Sequence, residues 1–363
     1  MKNLKKAFLF VMFLVILLPY QSPLQAQAFK DQYYYSTDVE HLFFHPLIAY
    51  PEIALKKQNP MRKSYLADCI TPYEFLGILH SLYKNNYILV SLYDCFKIEN
   101  GIAVKKAVKV PVGKKPIILS FDDVNYDSKK MGYGMVDKLI IDSDGDIACS
   151  TEIDRAVDIS KDREFLPILE KFIKNHKDFS PFGARGTINL TGYDGILGYR
   201  TSHTSTSRYK EIEISNAINI VNKLKTLGWT FACHSYGHYH MKKISDEKFQ
   251  NEIDNWNKEV KPLIGNTSAY VYPYGEWEVF DSEGNYTFKH QLLIDNGFKL
   301  FLGVGMKTFY SYLPSKTNNK VLFMDRKVVD GTTLCSNNKN LFAFFNPTSI
   351  IDPKREIINN SLT

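Results

Sequence analysis

From residue 116 onward, short apolar runs alternate with longer stretches whose apolar residues recur every three or four positions. In one such stretch Ile214, Ala217, Val221 and Leu224 share a helical face. Strands that alternate with helices are typical of parallel β/α units, because two parallel strands need a crossover connection. We therefore predict an α/β fold, a distorted (β/α) barrel of about seven units.

The predicted elements follow from these runs and their boundaries. A helix over residues 70–87 begins with a capping box, since Thr71 is followed by Pro72 and by Glu74. The other predicted helices lie in residues 163–176, 211–228, 245–260 and 288–297. The predicted strands lie in residues 88–92, 116–121, 186–192, 229–235, 268–275, 299–305 and 321–331.

Two segments interrupt the alternation. Residues 138–150, KLIIDSDGDIACS, predict a hairpin with Asp-Gly at its turn. Asp142, Asp144 and Asp146 alternate there, but Gly145 precedes the third acid and the twelfth position is not Glu, so the hairpin is favoured over a calcium loop. Residues 191–208 are rich in Gly, then in Ser and Thr, and predict a long loop after a strand.

The N-terminal residues resemble a secretory leader. Three lysines precede the twelve-residue apolar block 7–18, and Ala26-Gln27-Ala28 follows. The block is shorter than the 18 or so apolar residues that a membrane span needs. We predict a signal peptide over residues 1–28, a mature protein without a stable membrane span, and a location that is secreted or in the cell envelope.

Charge and cysteines exclude other classes of protein. Without the leader, Lys+Arg falls from 45 to 42 against 39 Asp+Glu, a net charge of about +3 that gives no reason to expect nucleic acid as a partner. None of the five cysteines has C-x-x-C spacing, which disfavours a thiolate metal site. A Cys69–Cys95 disulfide stays open, although small buried thiols are favoured.

The first chemical motif is the pair Asp122-Asp123, which follows the strand PIILSF. Adjacent strand residues point to opposite faces, so both carboxylates can serve one site only where the strand is ending. At the carboxyl end of a β/α strand such groups are placed for catalysis. Solvated acids in a turn are the alternative interpretation.

The second motif is FACHSYGHYH, in which His234 stands where a strand ends and His238 lies four residues on. We interpret this spacing as a helical turn that lets two imidazoles share one metal ion. Two histidines with one carboxylate leave positions open for water, as in catalytic zinc sites. His240 falls outside the pair and is interpreted as incidental.

The third motif is YVYPYGEW, residues 270–277. Pro273 and Gly275 predict a tight turn that leaves the Tyr274 amide free for a ligand, although by itself this is only a β-turn.

Together the three motifs resemble the polysaccharide deacetylase (NodB-homology, carbohydrate esterase family 4) proteins. SFDD is similar to the family's T-F-D-D, HSYGH to its H-[ST]-x-x-H, and YPYG to the end of its R-x-P-Y-G motif. The resemblance extends over about residues 70–305. It implies a polysaccharide-deacetylase-like catalytic domain over 116–345 with insertions at about 130–210, an N-terminal extension over 29–115 and a C-terminal tail over 346–363.

The resemblance also implies roles for individual residues. Asp122 is the general base, and Asp123, His234 and His238 bind a divalent metal, zinc by preference and cobalt as the alternative. Such an ion lowers the pKa of water and polarises a carbonyl group. With the ion, the Tyr274 backbone N–H would stabilise the tetrahedral oxyanion.

The chain departs from the family's pattern in three ways. Val271 stands where the family has an Arg that orients the base. No histidine follows His290, so the family's late general acid is unassigned. Finally, 112 residues separate Asp122 from His234, which agrees with the two predicted insertions.

We therefore predict an exported metal-dependent hydrolase that deacetylates an N-acetylated glycan: peptidoglycan, a chitin-like polymer or poly-N-acetylglucosamine, with acetylated xylan still open. Arg200, Trp277 and Arg326 are candidate substrate-binding residues, against ordinary solvation or packing. The alternatives are a glycan-binding protein on the same scaffold that has lost turnover, and hydrolysis of another amide at the same site.

Overall fold

The computed structural model describes residues 32–305, 309–310 and 321–355. The predicted signal peptide, residues 1–28, lies outside the described residues. No helix in the described part of the chain is both long and apolar enough to cross a membrane.

Sixteen strands are described. They are β1 Tyr33–Ser36, β2 Glu40–Phe44, β3 Tyr87–Leu89, β4 Phe96–Glu99, β5 Ile102–Lys105, β6 Val108–Pro111, β7 Lys115–Phe121, β8 Lys138–Ile141, β9 Ile147–Ile153, β10 Ala156–Ser160, β11 Thr187–Leu190, β12 Thr230–Cys233, β13 Ala269–Val271, β14 Leu300–Val304, β15 Phe309–Tyr310 and β16 Leu322–Val328.

Nine α-helices are described. They are α1 Pro51–Ala54, α2 Arg62–Asp68, α3 Pro72–Lys84, α4 Phe165–Asn175, α5 Lys210–Leu227, α6 Asp246–Asn255, α7 Lys261–Ile264, α8 Phe288–Asp295 and α9 Gly331–Cys335. A π-helical turn, Trp256–Val260, joins α6 to α7.

Seven parallel strands form a closed barrel, which confirms the predicted fold. Their order is β11–β12–β13–β14–β16–β2–β7, and β7 closes the ring by pairing with β11. The closure is distorted, because β7 pairs with β3 near its start and with β11 only at its end. All seven strands therefore present their carboxyl ends at one edge, where β/α enzymes place their active sites.

Side chains alternate between the inside of the barrel and the surrounding helices. On β7, Ile117, Leu119 and Phe121 belong to the large core cluster shared with the helices, whereas Ile118 belongs to a second cluster with Ala269, Leu300 and other strand residues. This period of two sends residues 118, 120 and 122 toward the barrel axis. The last of these inward positions is Asp122.

Several local predictions are confirmed. Helix α3 has the full capping box, with Thr71 Oγ1 accepting from the Glu74 amide and Glu74 Oε2 accepting from the Thr71 amide. Helix α5 ends at Gly228, whose φ of +102° suits a residue without Cβ. Strands β8 and β9 form the predicted hairpin. The three aspartates of its turn all pair with Lys161, which supplies the positive charge there.

The predicted boundary between an N-terminal extension and the barrel needs correction. Strand β2, within residues 29–115, pairs with both β7 and β16 and completes the barrel. Its sequence, EHLFF, shows no clear period because four of its five residues are buried. The beginning of the predicted tail is also packed against the body, since buried Arg355 pairs with buried Glu74 at 2.6 Å.

All five cysteines are unpaired, so the Cys69–Cys95 disulfide does not form. Four of them are buried and Cys335 is partly exposed. The favoured interpretation, small buried thiols, is confirmed.

Candidate active site

A cavity of about 340 Å³ lies at the carboxyl edge of the barrel. The residues Asp122, Asp123, His234, His238 and Tyr274 all line it, so the structure brings the three sequence motifs together. The opposite wall comes from the segment after β2 and from helix α2. The residues of that wall are His45, Pro46, Ser64, Tyr65, Asp68 and Cys69.

Asp122 is buried and held by three hydrogen bonds. Arg326 grips the carboxylate with both terminal nitrogens, Nη1 at 2.6 Å from Oδ1 and Nη2 at 2.9 Å from Oδ2. The Asn189 amide donates to Oδ1 at 2.6 Å. Burial raises the pKa of the Asp122 carboxyl, but the neighbouring Arg326 guanidinium, with a smaller effect from His234, outweighs burial and holds that pKa well below its usual range. Asp122 is therefore an ionised acceptor in a fixed orientation.

Asp123 reaches the same cavity because the backbone turns at this residue. Its φ is +56°, in the left-handed region that L residues seldom adopt. Strand β7 has ended at Phe121, so the alternation of side chains no longer separates the two carboxylates. Burial raises the pKa of Asp123, but the neighbouring imidazoles, His238 foremost, lower it by more. Asp and Asn adopt this left-handed conformation more readily than other L residues do.

The two histidines converge through an irregular turn, which corrects the predicted helical turn. Ser235 and His238 have φ values of +58° and +53°, and no helix spans residues 234–238. The Ser235 hydroxyl accepts from the His238 amide at 2.9 Å and closes the turn. The imidazole rings lie 4.8 Å apart. A turn of this kind aims both rings at one point, as the i, i+4 spacing of a helix would.

The donor set of Asp123, His234 and His238 fits a divalent metal ion. Their ligand atoms all lie within 4.8 Å of one another. His234 Nδ1 lies 3.0 Å from the Val271 carbonyl oxygen, which can only accept, so Nδ1 carries the proton and Nε2 is left to bind. Burial lowers the pKa of His238 to about 4, which keeps its ring neutral as a ligand must be.

His240, interpreted from the sequence as incidental, packs against Tyr274 at the rim of the cavity. Its ring stacks on Tyr274, with centroids 3.8 Å apart and planes 6° from parallel. The Nδ1 atom of His240 lies 2.8 Å from Oε1 of Glu276, so the ring and the carboxylate share a hydrogen bond. Tyr274 itself has a φ of +58° and a largely exposed ring that also contacts His238. The His240–Glu276 pair thus holds the Tyr274 ring beside the candidate metal ligand His238.

The three candidate substrate-binding residues lie in different places. Arg326 lines the cavity, but its guanidinium is committed to Asp122. Arg200 is bonded to Asp194 and the Tyr126 carbonyl, and it orders the loop after β11. Trp277 stacks between Tyr272 and Phe323, at 5.3 and 5.1 Å. Neither Arg200 nor Trp277 is among the residues that line the described cavity.

Two residues of the site escaped sequence reasoning. Asn189 lies on β11 between Ile188 and Leu190, which face the helices, so its side chain points inward to Asp122. His45 follows β2, a strand that the sequence did not reveal. An inward polar residue near a strand's carboxyl end was the available signal for Asn189.

Comparisons with known proteins agree with the motifs. Residues 201–280 match the family model described as polysaccharide deacetylase. This match, which includes the second and third motifs, confirms the predicted resemblance to polysaccharide deacetylases. None of the curated proteins matches this chain.

Three solved structures that are similar to this chain differ in sequence identity, in coverage and in TM-score. The Streptococcus pyogenes deacetylase PplD, in complex with acetate, is 16% identical over 87% of this chain and 98% of its own, with a TM-score of 0.43. The BpsB deacetylase domain from Bordetella bronchiseptica is 12% identical over 61% and 73%, with a TM-score of 0.29. A putative polysaccharide deacetylase from Mycobacterium smegmatis is 12% identical over 41% and 42%, with a TM-score of 0.26.

Proposed function

We propose that this protein is an exported, metal-dependent deacetylase that removes acetyl groups from an N-acetylated polysaccharide. The observation that supports it most is the placement of ionised Asp122 beside the donor set Asp123, His234 and His238 in one cavity. The family match supports an acetylated glycan as substrate. The composition of residues 1–28 supports export.

Each residue of the cavity has a part in the proposed reaction. Asp123, His234 and His238 would hold the divalent ion, zinc or cobalt, which when bound acidifies water and polarises the acetyl carbonyl. Asp122 accepts the proton of the attacking water, because Arg326 keeps its carboxylate ionised and oriented. The rim residue Tyr274 would stabilise the oxyanion through its backbone N–H. The products are a free amine and acetate.

The test is acetate release by residues 29–363 loaded with zinc or cobalt. The substrates are N-acetylglucosamine oligomers and peptidoglycan, and the matched control is Asp122→Asn, which keeps the side-chain shape. We expect the control to lose about 10²-fold or more in kcat, the usual share of a general base, while its metal content is unchanged.

The alternative is a glycan-binding protein that has lost turnover, which the absence of a histidine after His290 favours. It predicts oligosaccharide affinity without acetate release from any acetylated glycan, with metal bound. That result would replace the proposed function. Arg326 weighs against this alternative. Val271 stands where the family has an Arg that orients the base, and Arg326 on β16 brings a guanidinium to Asp122 instead.

A further inference from the structure

Lys130 brings a positive charge into the cavity of the candidate active site. It lines this cavity together with Asp122 and Asp123. Arg326 is the other lysine or arginine among the residues that line the cavity, and Asp122 occupies both of its terminal nitrogens. Lys130 is therefore the cation of the cavity that can serve a bound molecule.

The ammonium group of Lys130 is available to a ligand. It makes no hydrogen bond and no ion pair within the part of the chain that the structure describes. The carboxylates of Asp123 and Asp68 lie within electrostatic range of its charge without pairing with it. Because the side chain is half-buried, an anion that reached the ammonium group would be partly shielded from water and would accept a strong, charge-assisted hydrogen bond.

The backbone that carries Lys130 is fixed by the loop that follows β11. The Ser128 amide donates to Asp194 Oδ2 at 2.6 Å, and Arg200 Nη1 donates to the same oxygen at 2.6 Å. The Lys130 amide donates to the Asp127 carbonyl at 2.9 Å. A segment that is already ordered loses less entropy when its side chain binds a ligand, so this bracing suits a binding role for Lys130.

The charges of the cavity favour an anionic ligand. Three carboxylates line it, those of Asp68, Asp122 and Asp123. Arg326 offsets Asp122, and the divalent ion proposed above carries two charges against the one of Asp123. Lys130 then balances Asp68, and the loaded cavity keeps one net positive charge. A cavity of this sign attracts anions and disfavours cations.

We propose that Lys130 selects glycans that carry an anionic group, a carboxylate or a phosphate, beside the acetylated sugar. The role rests on the proposed function and narrows its substrate class, because chitin-like polymers and poly-N-acetylglucosamine are neutral. The ammonium group donates a charge-assisted hydrogen bond to the anion and places the neighbouring acetamido group in the cavity. In the competing explanation, Lys130 only compensates the charge of Asp68.

The test uses one oligosaccharide in two charge states, with zinc-loaded residues 29–363 as the enzyme. A chain of alternating N-acetylglucosamine and N-acetylmuramic acid carries a lactyl carboxylate on every second sugar, and methyl esterification removes that charge. Wild type should have the higher kcat/KM for the free acid, mainly through a lower KM. In Lys130→Met the ratio of kcat/KM for the free acid to that for the ester should fall about 10-fold or more, since a hydrogen bond to a charged group is lost. Lys130→Glu should prefer the ester.

A second pair of substrates distinguishes the two anions, and a neighbouring lysine supplies the control. An N-acetylglucosamine oligomer with a 6-phosphate is compared with its neutral parent. A preference in this pair that exceeds the preference for the carboxylate, and that Lys130→Met abolishes, would identify phosphate as the ligand. Lys129→Met removes the same charge from an exposed residue outside the cavity and should keep both wild-type ratios.

Three results would overturn the role of Lys130. They are equal kcat/KM values of wild type for the charged and neutral members of both pairs, an unchanged ratio in Lys130→Met, and an equal loss in that variant on charged and neutral substrates. Absence of acetate release by wild type from every substrate would instead overturn the proposed function. Calorimetric affinities for the free acid and the ester would then decide the role of Lys130, and equal affinities would overturn it.

Discussion

Arg326 illustrates how one residue sets the chemistry of another. It is fully buried, and its forked contact with Asp122 compensates a carboxylate that water does not reach. A buried pair of this kind orients both partners, and removal of one leaves an uncompensated charge. Lysine cannot reproduce the two parallel hydrogen bonds.

Arg326→Lys should therefore lower kcat for deacetylation about 10-fold or more, because Asp122 loses its orientation. Arg326→Met should in addition lower the free energy of unfolding by about 3–5 kcal/mol. Steady-state kinetics and denaturant titration would measure both.

The matched control is Arg185→Lys. Arg185 also makes a two-nitrogen contact with a carboxylate outside the cavity, donating from Nε and Nη2 to Glu170 at 2.8 and 3.2 Å. Arg185→Lys should therefore lower the free energy of unfolding and leave kcat unchanged. Equal kcat values for the two Lys variants would contradict an orienting role for Arg326.

Glu164 links two elements behind the cavity. Its buried carboxyl accepts from the Phe165 amide at the start of α4 and from the Leu47 amide in the segment that follows His45. Burial raises its pKa to about 8, despite these two hydrogen bonds. The native state therefore keeps a proton that the unfolded chain has released above the ordinary glutamate pKa of about 4.5.

The raised pKa of Glu164 makes the stability of the folded protein depend on pH. Between about pH 4.5 and 8 the native state binds more protons than the unfolded state, so Glu164 makes stability fall as pH rises, by up to about 1.4 kcal/mol per pH unit. Glu164→Gln should remove this slope relative to wild type in denaturation at pH 5, 6, 7 and 8. The exposed Glu247→Gln is the control and should keep the wild-type slope. A slope in Glu164→Gln equal to that of wild type would refute the assignment.

At the scale of the whole molecule, the proposed metal site joins strands that are distant in sequence. Asp123 follows β7, and both histidines follow β12, with β11 between these strands in the barrel. A ligand that binds only the folded state stabilises it by RT ln(1 + [L]/Kd).

Zinc at about 100 times its Kd should thus add about 2.7 kcal/mol and raise Tm by several degrees over chelator-treated protein. His238→Ala should abolish this shift, and the control His80→Ala should retain it. Calorimetry with and without chelator measures both. An undiminished shift in His238→Ala would show that the metal binds elsewhere.

Much of the molecule could be predicted from sequence. The period of apolar residues located the strands and helices of the barrel from residue 116 on, and the motifs located Asp122, Asp123, His234 and His238. These signals are local, because helical spacing, caps and strand-ending acids depend on neighbours within a few residues. The sequence by itself thus determined the β/α pattern and the composition of the proposed metal-ligand set.

Tertiary structure alone decided the surroundings of that set. Strand β2 is buried on both faces and has no period, so neither its place in the barrel nor the position of His45 could be predicted. Arg326 reaches Asp122 because β16 and β7 flank β2 and direct inward residues to the same point. Such relations depend on which strands pair and in which register, and these are fixed only when distant parts of the chain pack together.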